Sequence, residues 1–426
     1  MNVLKEVLKH EVFPALGCTE PIAVAYAASL AAAQLEGEIR EIQITVDPGV
    51  YKNGLAVTVP NTGGEKGNLI AGVLGALIRQ PDAKMEILKY ATPQLVSRAQ
   101  EIIMDGRAKI HLDRNRFDLY IEAAVNTGHG AARAVIKSAH TNLVCLEKDG
   151  SVIFASQNQG ISSSDRSYRS LLKEMKIKDL IEIVRNMDQE DRDYIKQGIE
   201  MNLAISETGQ GLNKVGHFIS DLTCKGYITD DIFASSKILT ASATDARMAG
   251  INMPVMSSGG SGNQGIVAIL VPYNVGNFYK IEQSVIIESI ALSHLINSYI
   301  KCFIGDLSPL CGCAIAAGVG AASAVVYQQC ADDMAKITLA VNNLISDLGG
   351  MLCDGAKGGC ALKVASSADS AIRAAYMAIN NHGITEKEGF VGKTAEQTIY
   401  HLSQISKIGM GKADDTMLGI MIDKTG

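Results

Sequence analysis

Five cysteines in three glycine-rich passages are the residues of this sequence best suited to metal or thiol chemistry. Cys18 lies in "PALGCTEP", Cys311 and Cys313 lie in "LSPLCGCAIAAG", and Cys353 and Cys360 lie in "GGMLCDGAKGGCALK". Thiolates are the soft ligands that bind zinc or hold iron–sulfur clusters, and glycines let backbone amides approach the sulfur atoms. Structural zinc sites favour C-x₂-C pairs, which are absent from this sequence. By spacing alone, an iron–sulfur cluster with one open iron, a zinc site and ordinary buried thiols all stay open.

Three polar turns offer groups that could bind a small anionic molecule. The first turn, in "MPVMSSGGSGNQGIVAIL", matches the G-x-G-x-x-G pattern, but its surroundings have helical spacing and do not suggest a dinucleotide-binding unit. A turn that opens a helix has free N–H groups suited to a carboxylate, although a tight turn needed only for helix packing is the alternative. Its candidate substrate-binding residues are Ser257, Ser258, Gly259, Gly260, Ser261, Gly262 and Asn263.

The other two turns lie in the first half of the chain. "VPNTGGEKG" supplies Asn61, Thr62 and Lys66 at a predicted helix start, where a simple hairpin-to-helix turn is the alternative. "SAHTNLV" supplies His140 and Asn142 at a predicted strand start. An isolated histidine is more often a structural residue than a catalyst, but the pairing of His140 with Asn142 at a strand start makes a functional role about as favoured as a structural one. These two residues are therefore candidates for substrate binding.

Composition and charge restrict the class of protein. The chain has 426 residues, a net charge of −6 and no basic run, which disfavours a nucleic-acid partner. Its first residues, "MNVLKEVLKHEVF", lack the apolar core of a signal peptide, and nine cysteines in so long a chain do not indicate a disulfide framework. The uncharged run "PLCGCAIAAGVGAASAVVYQQ" is mostly Ala and Gly, which indicates a closely packed helix and no membrane span. A cytoplasmic protein is expected.

Hydrophobic periodicity predicts the elements that must position these residues. Helices are expected at 2–13 and 20–36, and strands in "EIQITVDPG", "LAVTVPNTGG", "KMEILKY", "KIHLD" and "LYIEAAVN", with a hairpin that turns at "KDG". From about residue 167 onward the pattern is almost entirely helical, with roughly ten helices expected. The predicted fold class is α+β, with a mixed, largely antiparallel sheet domain and a larger all-α domain. The expected divisions are a helical arm at 1–36 whose GCTEP loop packs at the active site, an α+β domain at 37–156 and an all-α cluster-binding domain at 157–426.

Read together, "GCTEP", "SPLCGCAIAAG" and "GMLCDGAKGGCALK" resemble the L-cysteine desulfidase family (UPF0597-like proteins), which is related to the α portion of iron–sulfur L-serine dehydratases. The resemblance covers nearly the whole chain in order, and the run "CDGAKGGCALK" is specific. It implies a [4Fe-4S] cluster whose three cysteine ligands match Cys313, Cys353 and Cys360, with an open iron for the substrate. Cys311 competes with Cys313 for the first of these positions. The resemblance also implies that residues 257–263 bind the substrate carboxylate.

The implied activity is α,β-elimination of L-cysteine to hydrogen sulfide, ammonia and pyruvate. Such a reaction needs a base for the α-proton, a Lewis acid on the leaving group and a site for the carboxylate. Cys18 is the candidate base, because a helix start lowers the pKa of a thiol. It is also a candidate fourth iron ligand, because the chain ends "MLGIMIDKTG" without the terminal cysteine that related serine dehydratases place there.

Three alternatives stay open at this point. An L-serine dehydratase would use the same mechanism, and a non-catalytic amino-acid or redox sensor would need only part of the site. A pyridoxal-phosphate lyase could use Lys66 or Lys357, but the all-α second half offers no α/β scaffold, so this cofactor is not expected. The expected partners are a small amino-acid substrate and a second copy of the chain in a homodimer, because so much Ala/Gly helix surface suits close packing.

Overall fold

Two hydrophobic cores, one beneath a β-sheet and one among helices, organise the chain. The computed structural model describes residues 2–116, 118–156 and 167–424. The first core fills the space between the sheet and the helices on one of its faces, and the second lies within the larger helical part. The fold is therefore α+β, as the sequence predicted. The predicted boundary between 156 and 157 borders a stretch outside the described residues.

The strands are β1 (Pro14–Leu16), β2 (Ile39–Val46), β3 (Ala108–Leu112), β4 (Tyr120–Thr127), β5 (Gly130–Lys137), β6 (Leu143–Lys148), β7 (Ser151–Ala155) and β8 (Pro254–Met256). Six of them form one sheet in the order β3-β2-β4-β5-β6-β7. Only the β2–β3 pair is parallel, and the other four pairs are antiparallel. The predicted hairpin turn at "KDG" joins β6 to β7.

The helices of the first part are α1 (Val3–Glu11), α2 (Thr19–Ala32), α3 (Pro48–Gly54), α4 (Asn68–Ile78) and α5 (Pro93–Met104). Every residue of α2 is buried, because its small side chains allow close approach to α4 and to the sheet. Gly75 of α4 shows how close this is, since a Cβ there would lie 2.0 Å from the Ala25 carbonyl oxygen. By contrast, α1 packs in the helical core, so the two helices of residues 1–36 belong to different cores.

Two of the predicted strands are wrong. The first, "LAVTVPNTGG", follows α3, which starts at Pro48 because the Asp47 carboxylate accepts from the N–H groups of Gly49 (2.7 Å) and Val50 (3.1 Å). This segment contributes only an isolated bridge, Thr58 to Lys66. The second segment, "KMEILKY", lies in a 3-10 helix at Pro81–Tyr90, in which two consecutive residues are buried, whereas a strand would bury alternate ones.

The helices of the second part are α6 (Ser167–Glu174), α7 (Ile177–Arg185), α8 (Gln189–Gln210), α9 (Val215–Cys224), α10 (Ile232–Met248), α11 (Gly262–Phe278), α12 (Gln283–Ile304), α13 (Ala316–Cys330), α14 (Met334–Leu348), α15 (Cys360–Ile379), α16 (Ala395–Gln404) and α17 (Gly411–Asp423), with a π-helix at Ile405–Gly409. The Ala/Gly-rich run forms α13, which is buried from Ala316 to Gln328, as predicted. Within the ranges that the structure describes, no helix has the length and apolar character needed to cross a membrane.

A two-stranded ribbon connects the start of the chain to the helical part. Strand β1 pairs antiparallel with β8, with Pro14 opposite Met256 and Leu16 opposite Pro254. Cys18 comes directly after β1, and the turn at residues 257–261 comes directly after β8. The ribbon therefore places two passages that are about 240 residues apart in sequence side by side.

Candidate active site

A cavity of about 400 Å³ lies where the sheet part and the helical part meet. Its wall contains residues from all three cysteine passages, from the turn after β8 and from the loop between β5 and β6. Of the sequence-predicted site residues, those that line it are Cys18, His140, Gly259, Gly260, Ser261, Asn263, Cys313, Cys353 and Cys360, and the competing Cys311 lines it too.

Backbone pairing holds two of the cysteine passages together. The Cys311 N–H donates to the Met351 carbonyl (2.8 Å), and the Cys353 N–H donates to the Pro309 carbonyl (2.7 Å). These bonds flank an antiparallel bridge between Leu310 and Leu352. The pairing therefore brings thiols about 40 residues apart in sequence to one wall of the cavity.

The loop from Cys353 to Cys360 is held by its own charged residues. The Asp354 carboxylate accepts from the Lys363 ammonium at 2.5 Å and also pairs with Lys357. Partial burial alone would raise the pKa of Asp354, but the two ammonium groups lower it to about 2. Cys360 is the first residue of α15, which fixes the far end of the loop. Asp354 and Lys357 thus orient the loop that carries two of the thiols.

The four thiols of the two paired passages act on one another electrostatically. Cys313 donates to Cys311, which lowers the pKa of Cys311 to about 7 and raises that of Cys313. Burial, and then the charge of Cys311, raises the pKa of Cys353 and raises that of Cys360 to about 11. Cys313, Cys353 and Cys360 therefore favour the protonated form unless a cation replaces their protons.

This donor set fits an iron–sulfur cluster. Thiolates are the ligands of such clusters, and metal binding displaces the protons that burial holds on the thiols. In the described part of the chain, no group of three or more His, Cys, Asp or Glu side chains is arranged to hold one metal ion. A multi-iron cluster differs from a single ion because each thiolate binds a different iron. The geometry brings Cys311 and Cys313 to the cavity together and does not choose between them as the third ligand.

Cys18 is the N-cap residue of α2, at the helix start that the sequence predicted, but its pKa shifts in the direction opposite to the one expected. Burial, with only 4% of the residue exposed, and then the charge of Glu20 raise the pKa of the Cys18 thiol well above its usual value. The thiol donates to Glu20 Oε2 at 2.8 Å. The prediction of a lowered pKa was wrong, because desolvation and a neighbouring carboxylate outweigh the helix dipole.

Glu20 is a site residue that the sequence analysis missed. It is 7% exposed, accepts from Asn53 Nδ2 at 3.1 Å, and has Oε1 4.0 Å from His140 Nε2. Burial alone would raise its pKa, but His140 and the hydrogen bonds from Cys18 and Thr19 outweigh burial and keep the pKa of Glu20 below its usual value. An ionised carboxylate is therefore held beside the Cys18 thiol. The sequence feature that could have identified Glu20 is its position in "GCTEP", two residues after Cys18.

The turn after β8 is held from beneath by helix α12. Ser258 Oγ lies 2.8 Å from His294 Nδ1 and accepts from Asn297 Nδ2 at 2.9 Å, and Lys301 donates to the Gly259 carbonyl. His294, Asn297 and Lys301 are three and four residues apart, so they lie on one face of α12. Burial lowers the pKa of His294 to about 3, so it holds Ser258 as a neutral imidazole.

Of the remaining residues of this turn, some stabilise the local structure and others line the cavity. Ser257 is fully buried and accepts from the Phe13 N–H at 2.8 Å, so it secures the β1–β8 ribbon. Gly259 and Gly260 have φ angles of +55° and +74°, which favour glycine. Gly262 does not line the cavity but begins α11. Asn263 Oδ1 accepts from Arg247 Nη1 at 2.9 Å, and Arg247 is a second cavity residue that sequence analysis missed.

Besides Ser257, Ser258 and Gly262, four further candidate residues lie outside the cavity wall. Asn61 donates to the Leu88 carbonyl (3.0 Å), and Thr62 closes its own turn through the Val59 carbonyl (2.6 Å). Lys66 is exposed, and Asn142 Nδ2 closes the β5–β6 connection through the Lys137 carbonyl (2.9 Å). These hydrogen bonds give Asn61, Thr62 and Asn142 local structural roles.

Comparisons with known proteins identify the family. Residues 82–419 match the family described as the serine dehydratase alpha chain. A UPF0597 protein from Geobacter sulfurreducens is 59% identical and the alignment covers 100% of this chain and 99% of the relative. Similar proteins from Elusimicrobium minutum and Clostridium tetani are 53% and 39% identical, covering 100% and 99% of both partners, respectively. No solved structure matches the chain.

The chain therefore belongs to the serine dehydratase alpha-chain family. Within that family it belongs to the UPF0597 group, whose members match it over their full length. This membership supports a lyase of the serine dehydratase type.

Proposed function

We propose that the protein is an iron–sulfur-dependent lyase that eliminates hydrogen sulfide from L-cysteine and yields ammonia and pyruvate. The observation that carries the proposal is the meeting of two groups in one cavity. One is the set of thiols at Cys313, Cys353 and Cys360, and the other is the Cys18–Glu20 pair. The first group suits a Lewis-acidic cofactor, and the second suits proton transfer.

The cofactor and the leaving group of the substrate are assigned to the part of the cavity wall that Cys313, Cys353 and Cys360 form. Cys313, Cys353 and Cys360 would hold a [4Fe-4S] cluster, which supplies a Lewis acid for the leaving group when bound. The turn after β8 lines the same cavity and opens helix α11. It is suited to hold the carboxylate end of an amino acid.

Proton transfer belongs to Cys18 and Glu20. The resting pair is a thiol and a carboxylate, because the pKa of Cys18 is raised and that of Glu20 is lowered. Transfer of the thiol proton to Glu20 through the existing hydrogen bond is therefore uphill, and the small population of buried thiolate that it yields is strongly basic. The thiolate takes the α-proton, the Cα–H electrons form the Cα–Cβ double bond, and the Cβ–S bond breaks with its electrons leaving on sulfide. The aminoacrylate product tautomerises to an imine, and water converts the imine to pyruvate and ammonia.

L-serine is the second candidate substrate, because the family match names a serine dehydratase chain and the two amino acids differ only in the leaving atom. The same proton transfer would then release hydroxide in place of sulfide. The ratio of kcat/KM values for L-cysteine and L-serine on one preparation decides between the two. A cluster-containing protein without turnover on either would be a sensor.

The test begins with anaerobic purification, followed by iron and sulfide analysis and assays of sulfide and pyruvate release. About four irons per chain, as a [4Fe-4S] cluster requires, with sulfide and pyruvate formed together from L-cysteine, are expected. Replacing Cys313, Cys353 or Cys360 with Ala is expected to remove iron and turnover. Cys224, an exposed thiol outside the cavity, is the matched control for Ala replacement. A reconstituted protein without iron or turnover would refute the proposal.

A further inference from the structure

Arg247 is a buried cation in the cavity wall without a carboxylate partner in the described part of the chain. It is 3% exposed, and it lies in the last turn of α10. Its one side-chain hydrogen bond among the described residues is from Nη1 to the neutral side-chain oxygen of Asn263, and its buried Nε has no partner. Burying a charge is costly unless it is paired, so this position requires an explanation.

Other cations of the same wall, whether buried or half-buried, have carboxylate partners. Arg169 pairs with Glu11 (2.6 Å) and Asp306 (3.0 Å), and Lys52 pairs with Asp414 (2.6 Å). Arg247 therefore differs from its neighbours in having positive charge available to an anion that enters the cavity.

The start of helix α11 lies against this guanidinium. A Cβ on Gly262, the first residue of α11, would lie 2.4 Å from Arg247 Nε, so glycine permits the contact. Ser261 makes no side-chain cap, and the first internal bond of α11 is the one from the Gly265 N–H to the Ser261 carbonyl. The Ser261 N–H donates to the Ser258 carbonyl (3.0 Å), so the N–H groups available at the helix start are those of Gly262, Asn263 and Gln264. They add the positive end of the helix dipole to the charge of Arg247.

We propose that Arg247 and the N-terminus of α11 together bind the α-carboxylate of the substrate. This inference rests on the proposed function, which requires an amino-acid substrate, and assigns the residue that recognises its acid group. Met248, the neighbour of Arg247 in the chain, belongs to the same buried cluster as Cys18 and Cys360, so a carboxylate at Arg247 would lie close to the groups that the proposed function uses.

The test uses anaerobic calorimetry on the cluster-containing protein with L-alanine and L-alaninamide. L-alanine has no leaving group and therefore binds without turnover, and its amide lacks the carboxylate charge. The wild-type protein is expected to bind L-alanine and to bind the amide more weakly. Arg247→Gln is expected to lose about 10- to 100-fold in affinity for L-alanine, the effect of one or two charged hydrogen bonds, and to lose the discrimination against the amide.

Two further variants make the result specific. Arg247→Lys keeps the charge and is expected to retain discrimination against the amide at reduced affinity. Arg373→Gln, on the outer surface of α15, removes an arginine away from the cavity and is expected to bind L-alanine like the wild type. Equal binding of acid and amide by the wild type, or no binding of either, overturns the inference, and so does a folded Arg247→Gln variant with unchanged affinity.

The inference and the proposed function fail in different ways. If the wild-type protein binds L-alanine through Arg247 but releases no sulfide or hydroxide, the elimination activity is wrong and the carboxylate site stands. If it turns over L-cysteine while Arg247→Gln binds L-alanine normally, the activity stands and the carboxylate site is wrong. If an Arg247 variant does not fold, equal binding of acid and amide by the wild type still overturns the inference.

Discussion

Gly355 offers a sharp test of how the loop between Cys353 and Cys360 is held. Its φ angle is +90°, in the region that side chains disfavour, and a Cβ there would lie 2.3 Å from the Lys52 carbonyl oxygen at α3. Gly355→Ala must therefore strain the backbone and displace either α3 or the loop. Because the loop carries two of the proposed cluster ligands, both stability and iron binding are expected to fall.

The size of the effect follows from those two causes. A left-handed backbone costs a residue with a Cβ about 1–2 kcal/mol, and forcing a methyl group into a packed contact costs about 1–3 kcal/mol. Gly355→Ala is therefore expected to lower the free energy of unfolding by about 2–5 kcal/mol. Urea unfolding of the anaerobically purified protein measures this loss, and iron analysis reports on the position of the thiols.

Gly358→Ala is the matched control in the same loop. Gly358 is exposed, has no positive φ, and a Cβ there would meet no atom within 4 Å. This variant is expected to stay within about 0.5 kcal/mol of the wild type, as surface substitutions usually do. If Gly355→Ala unfolds at the same urea concentration as Gly358→Ala and keeps its iron, the packing of this loop against α3 is wrong.

Two further predictions concern carboxylates. Glu20→Gln removes the acceptor of the Cys18 thiol proton, so kcat for sulfide release is expected to fall by about 10²- to 10⁴-fold with unchanged iron content; near-normal turnover would exclude Glu20 from proton transfer. The folded pKa of Asp354, about 2, lies below its unfolded value of about 3.9, so its contribution to stability is full above about pH 4 and is lost as the pH falls toward 2. The urea midpoint of the wild type is therefore expected to fall more between pH 5 and about pH 2.5 than that of Asp354→Asn, and equal decreases would show that the pairs with the two lysines do not stabilise the fold.

The fold class was predictable because much of the chain has unambiguous local patterns. Strand β2 alternates in burial, and the small residues of α13 indicated a buried helix. The strand predicted at "LAVTVPNTGG" was wrong, because this segment follows α3 and pairs only through the bridge between Thr58 and Lys66. The strand predicted at "KMEILKY" failed because short apolar runs do not distinguish strands from 3-10 turns.

The residue types of the candidate site were predictable from the sequence, but which segments meet at the cavity was not. The cysteine passages and the glycine turn carry recognisable local chemistry, and the structure places members of each at one cavity. Arg247 had no such signal, since its significance comes from burial and from a contact with Asn263 on the next helix. Asn61, Thr62 and Lys66 looked equally suitable for an anion, yet they lie away from the cavity wall.

The sequence by itself determined the helix start at Cys18, the soft thiol ligands and the glycine turn before α11, because each depends on neighbouring residues alone. Only the tertiary structure decided that these passages share one cavity, through the β1–β8 ribbon and the bridge between Leu310 and Leu352. It also decided the direction of the Cys18 pKa shift, since desolvation and the approach of Glu20 depend on how the whole chain packs. Local sequence specifies which groups are present, whereas long-range register and burial set their distances and their charge states.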